Sequence, residues 1–358
     1  MTALTKLMGL TVDDSERDLT RESEVIAEIT EKIILLQAKA AAEQNRRITR
    51  GTHAKGVCAR ARFEVFDVTV GRDPILAARL AKGIYAKPGI YPAIVRFANA
   101  DPKVNSDFKA DVRSLSFSVE LEPGTVETSG ANIPRQDYSL QNATTLPIND
   151  AHAFLVAMKV LTASSPTKGL QSLPWRDKLI FGRTMLLAQL QAHQPVKPYQ
   201  QLRYWSTVPF RHGPADVVKY SAMPSADNPA RALQKHNANA LQDELVRHLR
   251  EDGKMSGFDF SLQFLDAERM TNWGKRREAS FWIENASVEW QETQAPFHTV
   301  ARLTLLSRSM LPQDVAESVY FDVTANSLPD SAPLGSINRA RWHGEVASRK
   351  ARMSELDN

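Results

Sequence analysis

The chain has 358 residues, of which 42% are hydrophobic and 24% charged, and its 45 basic and 41 acidic residues leave a formal net charge of +4. These values exclude collagenous, disordered and low-complexity chains, and the charge bias is too small to argue for nucleic acid or a membrane surface. The one cysteine, Cys58, excludes an intrachain disulfide and any zinc or iron–sulfur site built from several cysteines of this chain. Asp13, Asp14, Glu16 and Arg17 interrupt the N-terminus early, and no apolar run approaches about 20 residues, so we expect a cytoplasmic chain with no signal peptide and no membrane insertion.

From residue 22 to about residue 47, Val25, Ile26, Ile29, Ile33, Ile34 and Leu36 return near the 3.6-residue period with charges on the other face, which predicts an amphipathic helix. Residues 1–46 read as an N-terminal helical arm that docks on its own domain or on a partner subunit. Residues 47–358 read as one elaborated domain, because no internal repeat or long polar linker divides them. Alternating or β-branched runs at 61–68, 93–98, 114–121, 216–222, 258–265 and 299–306 predict a mostly antiparallel sheet or barrel. Helical periodicity at 74–85, 150–162, 175–193, 231–251 and 337–355 interrupts them, which makes the class α+β. The arm and the 175–193 helix offer faces for a homo-oligomer.

In Arg50-Gly-Thr-His53-Ala-Lys-Gly56, a histidine stands directly before a predicted strand. Alone, such a histidine more often holds structural hydrogen bonds than it catalyses. With Phe63-Glu-Val65 following, however, the segment resembles the opening of the catalase core, where an arginine precedes the distal histidine by three residues. Ile94-Val-Arg96-Phe97 is similar to the barrel strand that supplies a haem-propionate arginine, and Asp111-Val-Arg113-Ser-Leu-Ser-Phe to the strand after it. Asp137-Tyr-Ser-Leu-Gln-Asn142 resembles the segment of the distal asparagine, and Val217-Val-Lys219-Tyr220 a later barrel strand. Pro333-Leu-Gly335-Ser-Ile-Asn338-Arg339-Ala-Arg341 resembles the C-terminal motif of the short catalase-related haem proteins. The matches run in order between about residues 47 and 352.

The resemblance implies a catalase-like antiparallel β-barrel with surrounding helices that encloses haem b, with His53 and Asn142 as distal catalytic residues. A neutral imidazole can take a proton from one peroxide oxygen and return it to the other, and an uncharged amide can hold the peroxide without adding a titrating charge. Arg50, Arg96 and Arg352 fall where the family binds the propionates, and Arg341 fixes the register of the last helix and joins them as a cofactor-binding residue.

Two departures stand out. Ala98 replaces the serine that partners the histidine ring in catalases, which predicts a looser His53. The family's iron-binding tyrosine lies four residues after an arginine, and counting from Arg341 gives Glu345. His343, four residues after Arg339, is a softer iron ligand but points about 160° away from Glu345 on an ideal helix. Either residue, or neither, would be the axial ligand. Tyr320 lies outside the motif and reads as strand packing.

Loss of the tyrosinate argues against efficient disproportionation of hydrogen peroxide. The resemblance therefore implies a peroxidase-like haem protein acting on hydrogen peroxide or on organic, including fatty-acid, hydroperoxides; the alternative is a haem-free catalase-fold binding or scaffold protein. His152, His193, His212, His236, His248 and His298 have no metal spacing, and no HExxH, P-loop, GxGxxG or GxSxG motif occurs. Cys58 reads as a small buried residue.

Overall fold

Apolar side chains at every second position decide the sheet. Val95 and Phe97, Leu115 and Phe117, and Tyr138 and Leu140 are all buried, and alternation places each pair on one face of its strand. A computed structural model describes residues 22–121, 134–226, 228 and 231–354. Its strands are β1 (Gly56–Val65), β2 (Gly89–Asn99), β3 (Arg113–Glu120), β4 (Arg135–Gln141), β5 (Tyr204–Trp205), β6 (Phe210–His212), β7 (Asp216–Pro224), β8 (Ser256–Phe264), β9 (Thr271–Asn272), β10 (Lys275–Arg276) and β11 (Phe297–Met310). Antiparallel pairing runs β5-β4-β3-β2-β1-β11-β8-β7, and β5 also pairs with β7, which closes an eight-stranded barrel.

An eight-stranded barrel has an interior just wide enough for side chains. Here aromatic rings fill it: Phe117 and Tyr138 stack at 4.6 Å, and Phe260 meets Tyr138 edge-on at 5.1 Å and Phe63 at 5.4 Å. This corrects the expectation that the barrel encloses a haem. Any such group has to lie outside the wall.

The helices are α1 (Glu22–Glu43), α2 (Pro74–Leu80), α3 (Ala151–Thr162), α4 (Pro166–Ser172), α5 (Trp175–Ala192), α6 (Ala240–Val246), α7 (Ala279–Glu284), α8 (Gln313–Ser318) and α9 (Ser336–Ser354). Asp150 caps α3 by accepting the Ala153 N–H at 2.9 Å. Helix α1 packs on its own chain: Ile26 and Ile29 bury against Leu155 of α3 and Ala340 of α9. Gly344 permits this contact, because a Cβ there would collide with Ile33. Residues 1–21 of the arm and Glu355 of the last predicted helix lie outside the described residues.

Boundaries moved where local chemistry overrode periodicity. The 74–85 helix stops at Leu80, and a separate turn begins at Gly83, whose φ is +54°. The 231–251 helix shortens to α6 followed by one wide turn, Arg247–Glu251. Strand β1 begins at Gly56, five residues before the predicted start, and ends at Val65. Among the described residues, no helix is long and apolar enough to cross a membrane.

Candidate active site

The outer face of β2, β3 and β4 carries the residues that alternate with the barrel core: Arg96, Ser114, Ser116, Ser139 and Gln141. Together with the 50–53 loop, the strip 320–323 and one face of α9, they enclose a cavity of about 350 Å³. Its remaining lining includes Leu140, Leu146, Ile148, Phe154 and Ile337, so one part of the wall is apolar and the other cationic. A more open groove of about 610 Å³ beside Asn149 and Arg276 holds none of the predicted site residues.

His53 reaches this cavity through a strained backbone, with φ +60°. Three hydrogen bonds hold the loop: His53 N–H donates to Ala100 O at 3.1 Å, Arg96 Nη2 donates to His53 O at 2.9 Å, and Gly51 N–H donates to Ser348 Oγ of α9 at 3.1 Å. The ring Nδ1 lies 3.0 Å from Thr52 Oγ1. Thr52 therefore provides a hydroxyl partner where Ala98 cannot, and the expected loosening of the ring is corrected. Burial, followed by the charges of Arg96, Arg341 and Arg50, pushes the imidazole down to about 3, so the ring is neutral across the physiological range.

Arg50, Arg96 and Arg352 converge on the same wall. Arg96 and Arg352 are buried, and Arg96 lies against Gly56: a Cβ at Gly56 would come within 2.6 Å of the Arg96 guanidinium carbon and 2.5 Å of Phe97 O. Arg50 pairs with Glu317 at 3.1 Å. Burial and the repulsion of Arg96 and Arg352 bring Arg50 down to about 9, while Arg96 and Arg352 are lowered chiefly by burial. The Nε of Arg352 is buried with no acceptor. Three guanidiniums around one carboxylate form a site whose charge favours an added anion.

On α9, Arg341, Glu345, Ser348, Arg349 and Arg352 share the cavity face, as a spacing of three and four residues requires. Arg341 Nε donates to Glu345 Oε1 at 3.0 Å, and Glu345 Oε2 is buried without a partner. Burial raises the Glu345 carboxyl, against the opposing pull of Arg341. His343 does not line the cavity: its ring sits edge-on to Trp342 at 4.8 Å, and its Nε2 is buried and unpartnered. Asn142 is also absent from the wall, since its Oδ1 accepts the Arg113 N–H at 2.6 Å and secures the β3–β4 end. The preceding residue, Gln141, lines the cavity instead, with its Nε2 donating to Thr145 O at 3.1 Å.

Tyr320 also differs from its strand-packing expectation. It lines the cavity, with Arg349 and Arg135 over its ring at 4.3 and 4.5 Å. The Ser-Leu-Ser-Phe alternation at 114–117 was the sequence signal for the polar wall; nothing local announces Tyr320. Among the described residues, no group of three or more His, Cys, Asp or Glu side chains is arranged to hold a metal ion.

No protein-family model matches the chain, and no curated protein matches it. Among solved structures it is similar to a fungal catalase, with a TM-score of 0.63 at 15% identity over 89% of this chain and 62% of that one. It is also similar to catalase A from Saccharomyces cerevisiae (0.57, 16%, 88% and 63%) and to a bacterial catalase (0.53, 16%, 89% and 60%). The chain thus has a catalase-like α+β fold and spans about three fifths of the length of the catalases it matches.

Proposed function

We propose that the chain binds haem b in the cavity outside the β2–β4 wall and reduces hydrogen peroxide or an organic hydroperoxide, with peroxidase-like rather than catalase-like turnover. The observation that carries this reading is the meeting, in one cavity, of a neutral His53, the Arg50–Arg96–Arg352 cluster and the unpartnered carboxylate oxygen of Glu345. The residues suit the group: the arginines match two propionates, and Glu345 Oε2 is an unused donor oxygen where the family places its iron ligand. Haem, when bound, would supply the two electrons that cleave the O–O bond, and an organic donor, oxidised in turn, would return them.

The chain's own contribution is proton handling and orientation. In the tautomer whose Nδ1–H donates to Thr52 Oγ1, the Nε2 of His53 keeps its lone pair, accepts the hydroperoxide proton and returns it to the leaving oxygen. Gln141, as a cavity-lining amide, takes the orienting role that the resemblance gave to Asn142. Arg341 donates to Glu345 and opposes the burial that raises its carboxyl. Of the two axial candidates, Glu345 is favoured because it faces the cavity and His343 does not.

The test is the absorption spectrum of protein expressed with haem precursor. One haem per chain with a Soret band is expected; the band shifts or is lost in Glu345→Ala and is unchanged in His343→Ala. Protein that stays colourless and refuses haemin overturns the reading. The Arg341–Glu345 pairing and the division of the cavity into apolar and cationic walls would then favour a haem-free binder of an apolar carboxylate, read by displacement of a fluorescent long-chain carboxylate from wild type but not from Arg352→Leu.

A further inference from the structure

Helix α5 packs on α3 through Ile180 and Phe181 and leaves its opposite face open. Over its 18 residues only Thr184 is buried. Trp175, Leu179, Leu186 and Leu190 are 67, 66, 61 and 60% exposed. At about 100° per residue these four fall within an arc of roughly 60°, a continuous apolar stripe along one face. Gly182 lies at the middle of the helix, and a Cβ added there would meet nothing within 4 Å.

The spacing is symmetric. Trp175 and Leu190 stand equally far from the Gly182–Arg183 bond, and so do Leu179 and Leu186. A twofold axis through that bond turns the stripe onto itself as an antiparallel pair, with Trp175 against Leu190 of the second copy and Leu179 against its Leu186. Such self-complementarity is what a closed dimer interface requires. Gly182 lets the two backbones approach at the crossing. Arg183, the charge beside the axis, donates to Ser287 Oγ of its own chain at 2.9 Å and is drawn off the contact. The four side chains offer on the order of 500 Å² per copy, about 1,000 Å² for the pair, where specific interfaces begin. We infer that this chain forms a homodimer through an antiparallel α5 pair. The inference is independent of what the cavity binds.

Sedimentation of the full chain at about 20 μM tests it against two variants, a concentration suited to a dimer of micromolar affinity. Wild type sediments as a dimer. Leu186→Glu sediments as a monomer, with dissociation at least tenfold stronger. Gly182→Trp, which has open space in the single chain but not at a helix crossing, also dissociates. Circular dichroism of both variants keeps the wild-type helix content, because both positions are open to solvent in one copy. A monomeric wild type, or variants that associate as wild type does, overturns the inference. So does stronger association or new vesicle binding in Gly182→Trp, tested on phosphatidylcholine–phosphatidylglycerol vesicles, because added apolar surface strengthens a membrane contact and breaks a close helix crossing.

Discussion

The two faces of strands β2 to β4 are built from neighbouring residues and obey opposite rules. Inward, Phe97, Phe117 and Tyr138 pack ring against ring in a filled interior. Outward, Arg96, Ser116 and Gln141 border open volume, beside a histidine in a left-handed backbone and a carboxylate oxygen without a partner. One face supplies the stability that the other can spend on geometry. The difference is one of packing: the inner face meets rings at van der Waals distance, and the outer face borders a cavity of about 350 Å³.

Truncation on each face is the strongest way to break that contrast. Phe260 is fully buried, with Phe63, Tyr138, Tyr220, Phe117 and Tyr85 within 6.4 Å between ring centroids. Phe260→Ala is expected to cost about 3–5 kcal/mol, seen as a lower denaturation midpoint in urea. Ser116→Ala on the cavity side should stay within about 0.5 kcal/mol. Equal losses at the two sites would erase the distinction. Next in size is Gly56→Ala. The new methyl would press on Phe97 O and the Arg96 guanidinium, so we expect a loss of about 1–3 kcal/mol and weaker haem uptake. Unchanged stability and uptake would mean that Arg96 moves freely and that the glycine has no part in placing it.

Much of this was legible before any coordinates. Alternation along 93–98 and 114–121 identified the strands, and the order of short motifs around His53, Arg96, Asn142 and Arg341 pointed to the catalase-like fold. Single-residue placement was not legible, because a strand end decides which of two neighbours faces out. Gln141 and Asn142 are equally polar, and only the hydrogen bond to the Arg113 backbone turns Asn142 away from the cavity. Thr52 was overlooked because the family's hydroxyl comes from another strand, whereas here it comes from the adjacent residue. Tyr320 joins the cavity through long-range packing with Arg135 and Arg349, which no local pattern encodes. Placing haem within the barrel failed on volume, since the aromatic content of the strands already fills an eight-stranded interior.

The smallest effect is read by pH. In the unfolded chain a histidine takes up its proton near 6.5, whereas folded His53 resists protonation to about 3. Between those values the unfolded state binds the extra proton, so this contribution to stability is fully present above 6.5 and is lost as pH falls toward 3. Solvent reaches part of the ring, so the slope is below the limit of about 1.4 kcal/mol per pH unit. Asp137 works in the opposite sense: burial first of all raises it to about 6, and its contribution is lost as pH rises through that value. The measurement is therefore a difference between two proteins that share Asp137. Urea midpoints of wild type and His53→Gln at pH 7 and pH 5 should diverge, with wild type losing more on acidification. Parallel loss would show that the imidazole titrates normally, so that it would be half protonated near 6.5 instead of staying neutral down to about 3.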